Sequence, residues 1–135
     1  METIHIDEDF LIMYVAAKEF PADICNAHEA LHKQVPIEAG RKFISISRPE
    51  NGIIQYKAGA VAKDASEAKQ LGLPCIQIPK GDFIAITIKN YNDHIESIAA
   101  AFETLLEQPG LDANSYCCEW YINPDDIICM VRKAG

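Results

Sequence analysis

Two stretches of this 135-residue sequence carry the same elements in the same order, offset by 73 to 75 residues. The first opens on the apolar, β-rich run 10–17 (FLIMYVAA). Pro21 then begins a helical stretch over about 22–34, where Ile24, Ala27, Leu31 and Val35 recur at helical spacing. The alternating segment 42–47 reads as a half-buried strand, and 53–60 as the strand that returns beside it. Glu50-Asn51-Gly52 joins them, since Asn-Gly tolerates the positive φ of a tight hairpin turn. The second stretch repeats the order: a strand over 83–88 (FIAITI), then a helix over about 92–107 with Ile95, Ile98, Phe102 and Leu105 on one stripe. Strands over 116–122 and 127–132 follow, separated by the turn Asn123-Pro124-Asp125-Asp126. Phe10 falls on Phe83, Ile24 on Ile98, Leu31 on Leu105, Ser45 on Glu119 and Ile53 on Ile127.

This repeat predicts an α+β fold of tandem duplicated β-α-β-β units, about 8–62 and 73–134, within one domain spanning 1–135. The sheets are expected to be antiparallel, the halves related by a pseudo-two-fold axis, and the helices on one side. One amphipathic helix covers only part of its unit, so the rest is either buried against the other half or left as a groove between them. Between the halves lie a polar, Ala-rich link over 63–71, then Cys75-Ile76-Gln77-Ile78 and the turn Pro79-Lys80-Gly81.

Side chains alternate between the two faces of a strand. On that rule Ile44, Ile46, Cys118 and Trp120 are assigned to the helix-covered core. Phe43, Ser45, Ser47, Cys117, Glu119 and Tyr121 then share the opposite face, joined by Ile12, Tyr14, Ala85 and Thr87 from the first strands of each half. That face has aromatic walls, small residues that leave room, and one carboxylate.

Glu119 sits among large or apolar neighbours in Cys-Cys-Glu-Trp-Tyr-Ile. A buried carboxylate needs a positive partner or else takes up a proton. An aromatic-lined groove with one acid suits a lipophilic cation, the rings supplying area and cation–π contact and the acid the counter-charge. The alternative is that Glu119 points to solvent or pairs with Lys42, Lys57 or Arg132.

The formal charge of −8 argues against direct nucleic-acid binding, because such a surface repels phosphate backbones. No apolar run approaches the roughly 20 residues that span a bilayer, so no membrane association is expected. METIHIDEDF lacks the basic start and apolar stretch of a secretory signal, which makes the cytoplasm the expected location. The five cysteines (Cys25, Cys75, Cys117, Cys118, Cys129) are odd in number and form no C-x-x-C pair, so they are read as buried, reduced thiols. No phosphate-cradling loop, nucleophile elbow or dinucleotide fingerprint is present, and no cofactor is expected.

Three short motifs add a resemblance over nearly the whole chain. They are Gly52-Ile53-Ile54-Gln55-Tyr56-Lys57-Ala58-Gly59, Ile78-Pro79-Lys80-Gly81-Asp82-Phe83 and Cys118-Glu119-Trp120-Tyr121. In this order the chain resembles the GyrI-like small-molecule-binding family, whose domains also serve as effector-binding parts of AraC-class and MerR-class multidrug transcription regulators. The motifs look like the family's Tyr-x-x-Gly strand end, its Ile-Pro-x-Gly-x-aromatic turn and its aromatic-Glu-x-Tyr strand. Cys118 stands where an aromatic is usual, and strand 126–132 lacks the groove aromatic of some multidrug-binding members. The resemblance implies a stand-alone small-molecule binder without a helix-turn-helix, its ligand amphipathic or cationic and held by Glu119. Tyr121, Tyr14, Tyr56, Ile12, Ser45 and Cys117 complete the expected ligand-binding set. Related stand-alone members include a gyrase-protecting inhibitor and hydrolases of strained cyclopropane compounds. The same groove could therefore carry hydrolysis of a bound xenobiotic, with Glu119 as acid and base.

A third reading comes from His28-Glu29-Ala30-Leu31-His32, which matches the zinc-peptidase pattern H-E-x-x-H on a helix. Such a site needs another protein ligand, for which His94, Glu38 and Glu50 are the candidates. The repeat argues the other way: His28 falls on Phe102 and His32 on Leu106, the shoulder of a stripe that faces its own sheet. A metal at His28 and His32 is the weaker alternative.

Overall fold

The structure is a computed structural model and describes residues 1–134. The strands are β1 (Glu2–Ile6), β2 (Phe10–Ala16), β3 (Phe43–Glu50), β4 (Ile53–Val61), β5 (Cys75–Ile78), β6 (Gly81–Ile88), β7 (Cys117–Tyr121) and β8 (Ile127–Arg132). The helices are α1 (Ile24–Gln34), α2 (Ala65–Gln70) and α3 (Glu96–Leu106), the last preceded by a 3-10 turn over Tyr91–Asp93. The expected α+β duplication is present, with one more strand in each unit than the β-α-β-β reading allows. The Ala-rich link contains α2, which Asp64 caps by accepting a hydrogen bond from the Glu67 amide.

All eight strands form one antiparallel sheet in the order β1-β6-β8-β7-β3-β4-β2-β5. Replacing each strand by its counterpart in the other half reproduces this order read backwards. The pseudo-two-fold axis therefore runs between β3 and β7, where Ser45 pairs with its own repeat counterpart, Glu119. The first strands are exchanged: β1 pairs with β6 of the second half, and β5 with β2 of the first. The segment 2–6 escapes a sequence reading because it is short, has polar residues and lies at an edge.

This exchange curls the sheet. Only Pro79 and Lys80 connect edge strand β5 to β6, which lies second from the opposite edge. In a flat sheet those strands would be about 29 Å apart, whereas the link reaches about 11 Å. Curvature is visible where Phe10 of β2 meets Trp120 of β7 edge to face, with centroids 6.5 Å apart across two intervening strands. The inside of the curl is packed with Ile12, Ile44, Ile46, Phe83, Cys118 and Met130, all fully buried.

The two long helices, α1 and α3, lie on the other face. Leu31 and Ala27 of α1 pack with Met13, Ala58 and Ala60, while Leu105 and Ala101 of α3 pack with Ile84, Cys129 and Val131. The face assignment made from alternation is thus inverted. Ile44, Ile46, Cys118 and Trp120, expected beneath the helices, line the inside of the curl together with Ile12, Tyr14 and Ala85. Phe43, Cys117 and Tyr121 pack on the helix side. Alternation separates two faces but cannot say which of them takes the helices when both are buried. The cysteine reading also needs correcting: Cys118 and Cys129 are buried, but Cys25 and Cys75 are exposed.

Asn51 and Gly52 both adopt positive φ, 54° and 79°, as the hairpin reading requires. Gly59 has a different reason to lack a side chain. A Cβ there would run into the Ile44 carbonyl oxygen and the Ile12 side chain, both fixed in the packed interior. Gly59→Ala is expected to destabilise the fold by about 3 kcal/mol, read as a lower urea midpoint.

Candidate functional site

The two long helices flank the middle of the sheet. α1 packs on β2 and β4, and α3 on β6 and β8, so the central pair β3 and β7 lies between them. On this strip Phe43, Ser47, Cys117, Glu119 and Tyr121 are partly buried, and Ser45 is fully buried. The period-two alternation of both strands brings these six residues to one face, with Phe43 opposite Tyr121 and Ser47 opposite Cys117.

A row of polar groups crosses the strip from α1 to β7. His28 Nε2 lies 2.8 Å from the Tyr56 hydroxyl, which is 3.3 Å from the Tyr121 hydroxyl. Tyr121 in turn donates to Glu119 Oε1 at 3.0 Å. Aromatic rings surround the row. His28 meets Tyr121 edge-on at 5.7 Å and Tyr56 at 5.8 Å, and Tyr91 lies 5.8 Å from Tyr121. Phe20, itself 42% exposed, stands 6.1 Å from Tyr56 at the rim, so an apolar ring faces solvent beside the strip.

Glu119 has no cation within ion-pair distance among the described residues. Arg132 is committed to Asp112 at 3.0 Å, Lys57 lies over the Tyr14 ring on the other face, and Lys42 is exposed. Burial lifts the Glu119 carboxyl to about 7, and the hydrogen bond from Tyr121 only partly opposes the rise. The same burial raises Tyr121 and Tyr56, with the Glu119 charge adding to the effect. His28 is lowered by burial and by the neighbouring His32, so it is neutral at pH 7. Burial pushes the Cys117 thiol to about 11 and Cys129 to about 12, which leaves no thiolate nucleophile beside Glu119.

Of the residues singled out from the sequence, the structure brings together Glu119, Tyr121, Tyr56, Ser45 and Cys117. Tyr14 and Ile12 lie across the sheet, inside the curl, and share no surface with Glu119. The sequence reading did not place Tyr91, Phe20 or His28 in this group. The first two lie outside the repeated strands. His28 did carry a signal, since it falls on Phe102 of the other half, and Phe102 packs against the α3 cluster.

His28 and His32 stack at 6.4 Å on one helix face, but no metal set forms around them. His28 Nε2 is engaged by Tyr56, His32 sits 5.1 Å from Phe43, and Glu29 is exposed. Of the further ligands considered, Glu38 approaches Arg41 and Lys63, Glu50 is bound by Arg48, and His94 is exposed. Among the described residues no cluster of three or more His, Cys, Asp or Glu side chains is placed to hold a metal. Two surface hollows, of about 280 and 500 Å³, lie beside Arg41 and Arg48 and include none of the groups in the row.

No family model matches the sequence, and no curated protein matches it. Solved structures do. An integron cassette protein from the mobile metagenome of Vibrio cholerae superposes with a TM-score of 0.74 at 9% identity, covering 98% of this chain and 94% of that one. A protein described as a hydrolase from Listeria innocua matches with a TM-score of 0.57, also at 9% identity, over 98% of this chain and 90% of its own. At such identity the likeness is one of fold alone. No helix among the described residues is long and apolar enough to cross a membrane.

The raised Glu119 carboxyl has a signed effect on stability. Below pH 4.5 it is protonated in both the folded and the unfolded chain and contributes nothing. Between 4.5 and about 7 the unfolded chain ionises while the folded one does not, so stability falls as pH rises, by about 3 kcal/mol in all. His28 acts oppositely, its share of stability being present above its unfolded value of 6.5 and lost as pH falls from there through the lower folded value. Glu119→Gln, which can still accept from Tyr121, is therefore expected to stabilise the protein by about 2 kcal/mol at pH 8. Urea unfolding across pH 5 to 8 should show the decline with rising pH disappear in the variant.

Proposed function

We propose that this chain is a small-molecule-binding protein of the GyrI-like kind, holding an amphipathic organic cation on the strip between α1 and α3. One observation carries the reading: an acid with no cationic partner among the described residues lies partly buried among the rings of Tyr56, Tyr91, Tyr121 and His28. A cation placed there supplies the counter-charge that the protein itself does not provide. The electron-rich faces of the surrounding rings each add about 0.5 to 2 kcal/mol, more as water is excluded. The three motifs of the sequence and the curled, duplicated fold agree with this reading. Its ligand set contracts to Glu119, Tyr121 and Tyr56, with Ser45 and Cys117 in the floor and His28 and Tyr91 in the walls.

A second reading shares the same acid. A carboxyl near neutrality with a phenol donating to it can give and take protons at physiological pH, which is what hydrolysis of a bound compound requires. The match to a protein described as a hydrolase fits but does not favour it, since the likeness extends to the fold only.

Binding of a cation and protonation of Glu119 compete, so affinity should rise with pH up to about 7 and level off above it. Thermal-shift titration with tetraphenylphosphonium and with neutral triphenylphosphine oxide tests the reading. The expected result is stabilisation by the cation alone, weakened at least about tenfold in apparent affinity by Glu119→Gln. Equal response to both compounds, or an undiminished response in the variant, would sink it. Formation of a product from a bound compound would instead select the hydrolase.

A further inference from the structure

The row from His28 Nε2 through Tyr56 and Tyr121 to Glu119 Oε1 contains three gaps, of 2.8, 3.3 and 3.0 Å, each bridged by a hydrogen bond, the middle one long for two hydroxyls. Filling them takes three hydrogens. Each phenol donates once, so the tyrosines supply two and the third must come from one end. When His28 supplies it as Nε2–H, every bond points toward Glu119, which is then a carboxylate. When Glu119 supplies it as a carboxylic acid, every bond points toward His28. Nε2 must then carry a lone pair and Nδ1 the hydrogen. An arrangement in which both ends donate pushes one phenol hydrogen out of the row.

We propose that His28 is a positioning residue whose tautomer is locked, through Tyr56 and Tyr121, to the ionisation of Glu119, so that the row is a two-state switch in the charge the strip presents. In one state the floor is an anion with its nearest hydroxyl turned to it, ready for a positive guest. In the other it is a neutral acid with its hydrogen committed to Tyr121. The passage between them balances: Glu119 gains one proton from solvent, each tyrosine reverses its hydrogen, and the imidazole exchanges Nε2–H for Nδ1–H with solvent. His28 stays uncharged throughout.

The surroundings favour this coupling over competing ones. From β4 and β7 the groups facing His28 are the two phenols of the row, and from its own helix only His32. Tyr91 faces Tyr121 from the 3-10 turn, and the thiols of Cys117 and Cys129 flank Glu119 with burial keeping them neutral. Among the described residues no lysine, arginine or aspartate lies within ion-pair distance of either end. Loss of His28 would leave the acid and the phenols in place but release the far end of the row to water.

The use of the switch rests on the cation-binding reading above, while the switch itself can be read without a ligand. Long-range 1H–15N spectra of the labelled protein distinguish Nδ1–H from Nε2–H imidazole, and 13C spectra follow the Glu119 carboxyl. Over pH 6 to 9 His28 should pass from the Nδ1–H to the Nε2–H form with the same midpoint as the Glu119 carboxyl. Tyr56→Phe, which removes one link, should uncouple the two, and His32→Gln should not. Glu119→Gln should hold His28 in one tautomer over the whole range, and it serves should Tyr56→Phe fail to fold. Tetraphenylphosphonium should move both midpoints together to lower pH. A His28 tautomer that ignores the carboxyl titration, or that still switches in Glu119→Gln, overturns the proposal. Coincident midpoints that the cation does not move uphold the switch and count against the cation as guest.

Discussion

The architecture depends on the exchange of first strands between the two halves. With β1 held by β6 and β5 by β2, and with only two residues linking β5 to β6, the sheet has no flat solution. It curls until its inner surface fills itself with Ile12, Ile44, Ile46, Phe83 and Met130. That leaves one face for helices. Each helix packs on the outer strands of its own half through a pair of residues repeated in the other, Ala27 and Leu31 in α1 and Ala101 and Leu105 in α3. The strip over β3 and β7 between the helices is a geometric remainder of this packing.

On that strip the pseudo-symmetry is broken where it matters most electrostatically. The axis passes beside the Ser45–Glu119 pair, so the two halves present a hydroxyl and a carboxyl at one and the same place. Two acids there would repel each other within a poorly solvated site, and two serines would leave no charge at all. One of each makes a single acid possible, though raised to about 7 by burial. Tyr121 falls on Ser47 and His28 on Phe102, so the polar row is also a property of the pair rather than of either unit. Duplication supplied the frame, and divergence at a few positions supplied the chemistry.

Much of this was legible in the residues. The helix stripes, the Asn51-Gly52 turn and the repeat that aligns Ser45 with Glu119 all follow from local periodicity and turn chemistry, which act over a few residues. Both the exchange of β1 and β5 and the choice of the helix-bearing face escaped, because each is decided by contacts between segments far apart in the chain. Ile44 and Cys118 show why. Their alternation is as clean as that of a strand packed under a helix, yet their partners are other strands of the same curled sheet. Tyr14 and Ile12 were misplaced for the same reason. For the acid the local pattern sufficed to single out Glu119, and the resemblance added Tyr56, but His28 belongs to α1, and only the tertiary fold brings it within reach.

The strand exchange bears on how the chain is made. Synthesis runs from the amino end, so β1 leaves the ribosome some 75 residues before its partner β6. The first half emerges with one strand unclaimed and with a vacancy at its edge that only β5 can fill. Neither half is complete without the other, so the last pairings close over long sequence separations and assembly is deferred until most of the polypeptide is available. A duplicated protein of this design matures as one cooperative body, not as two units in succession.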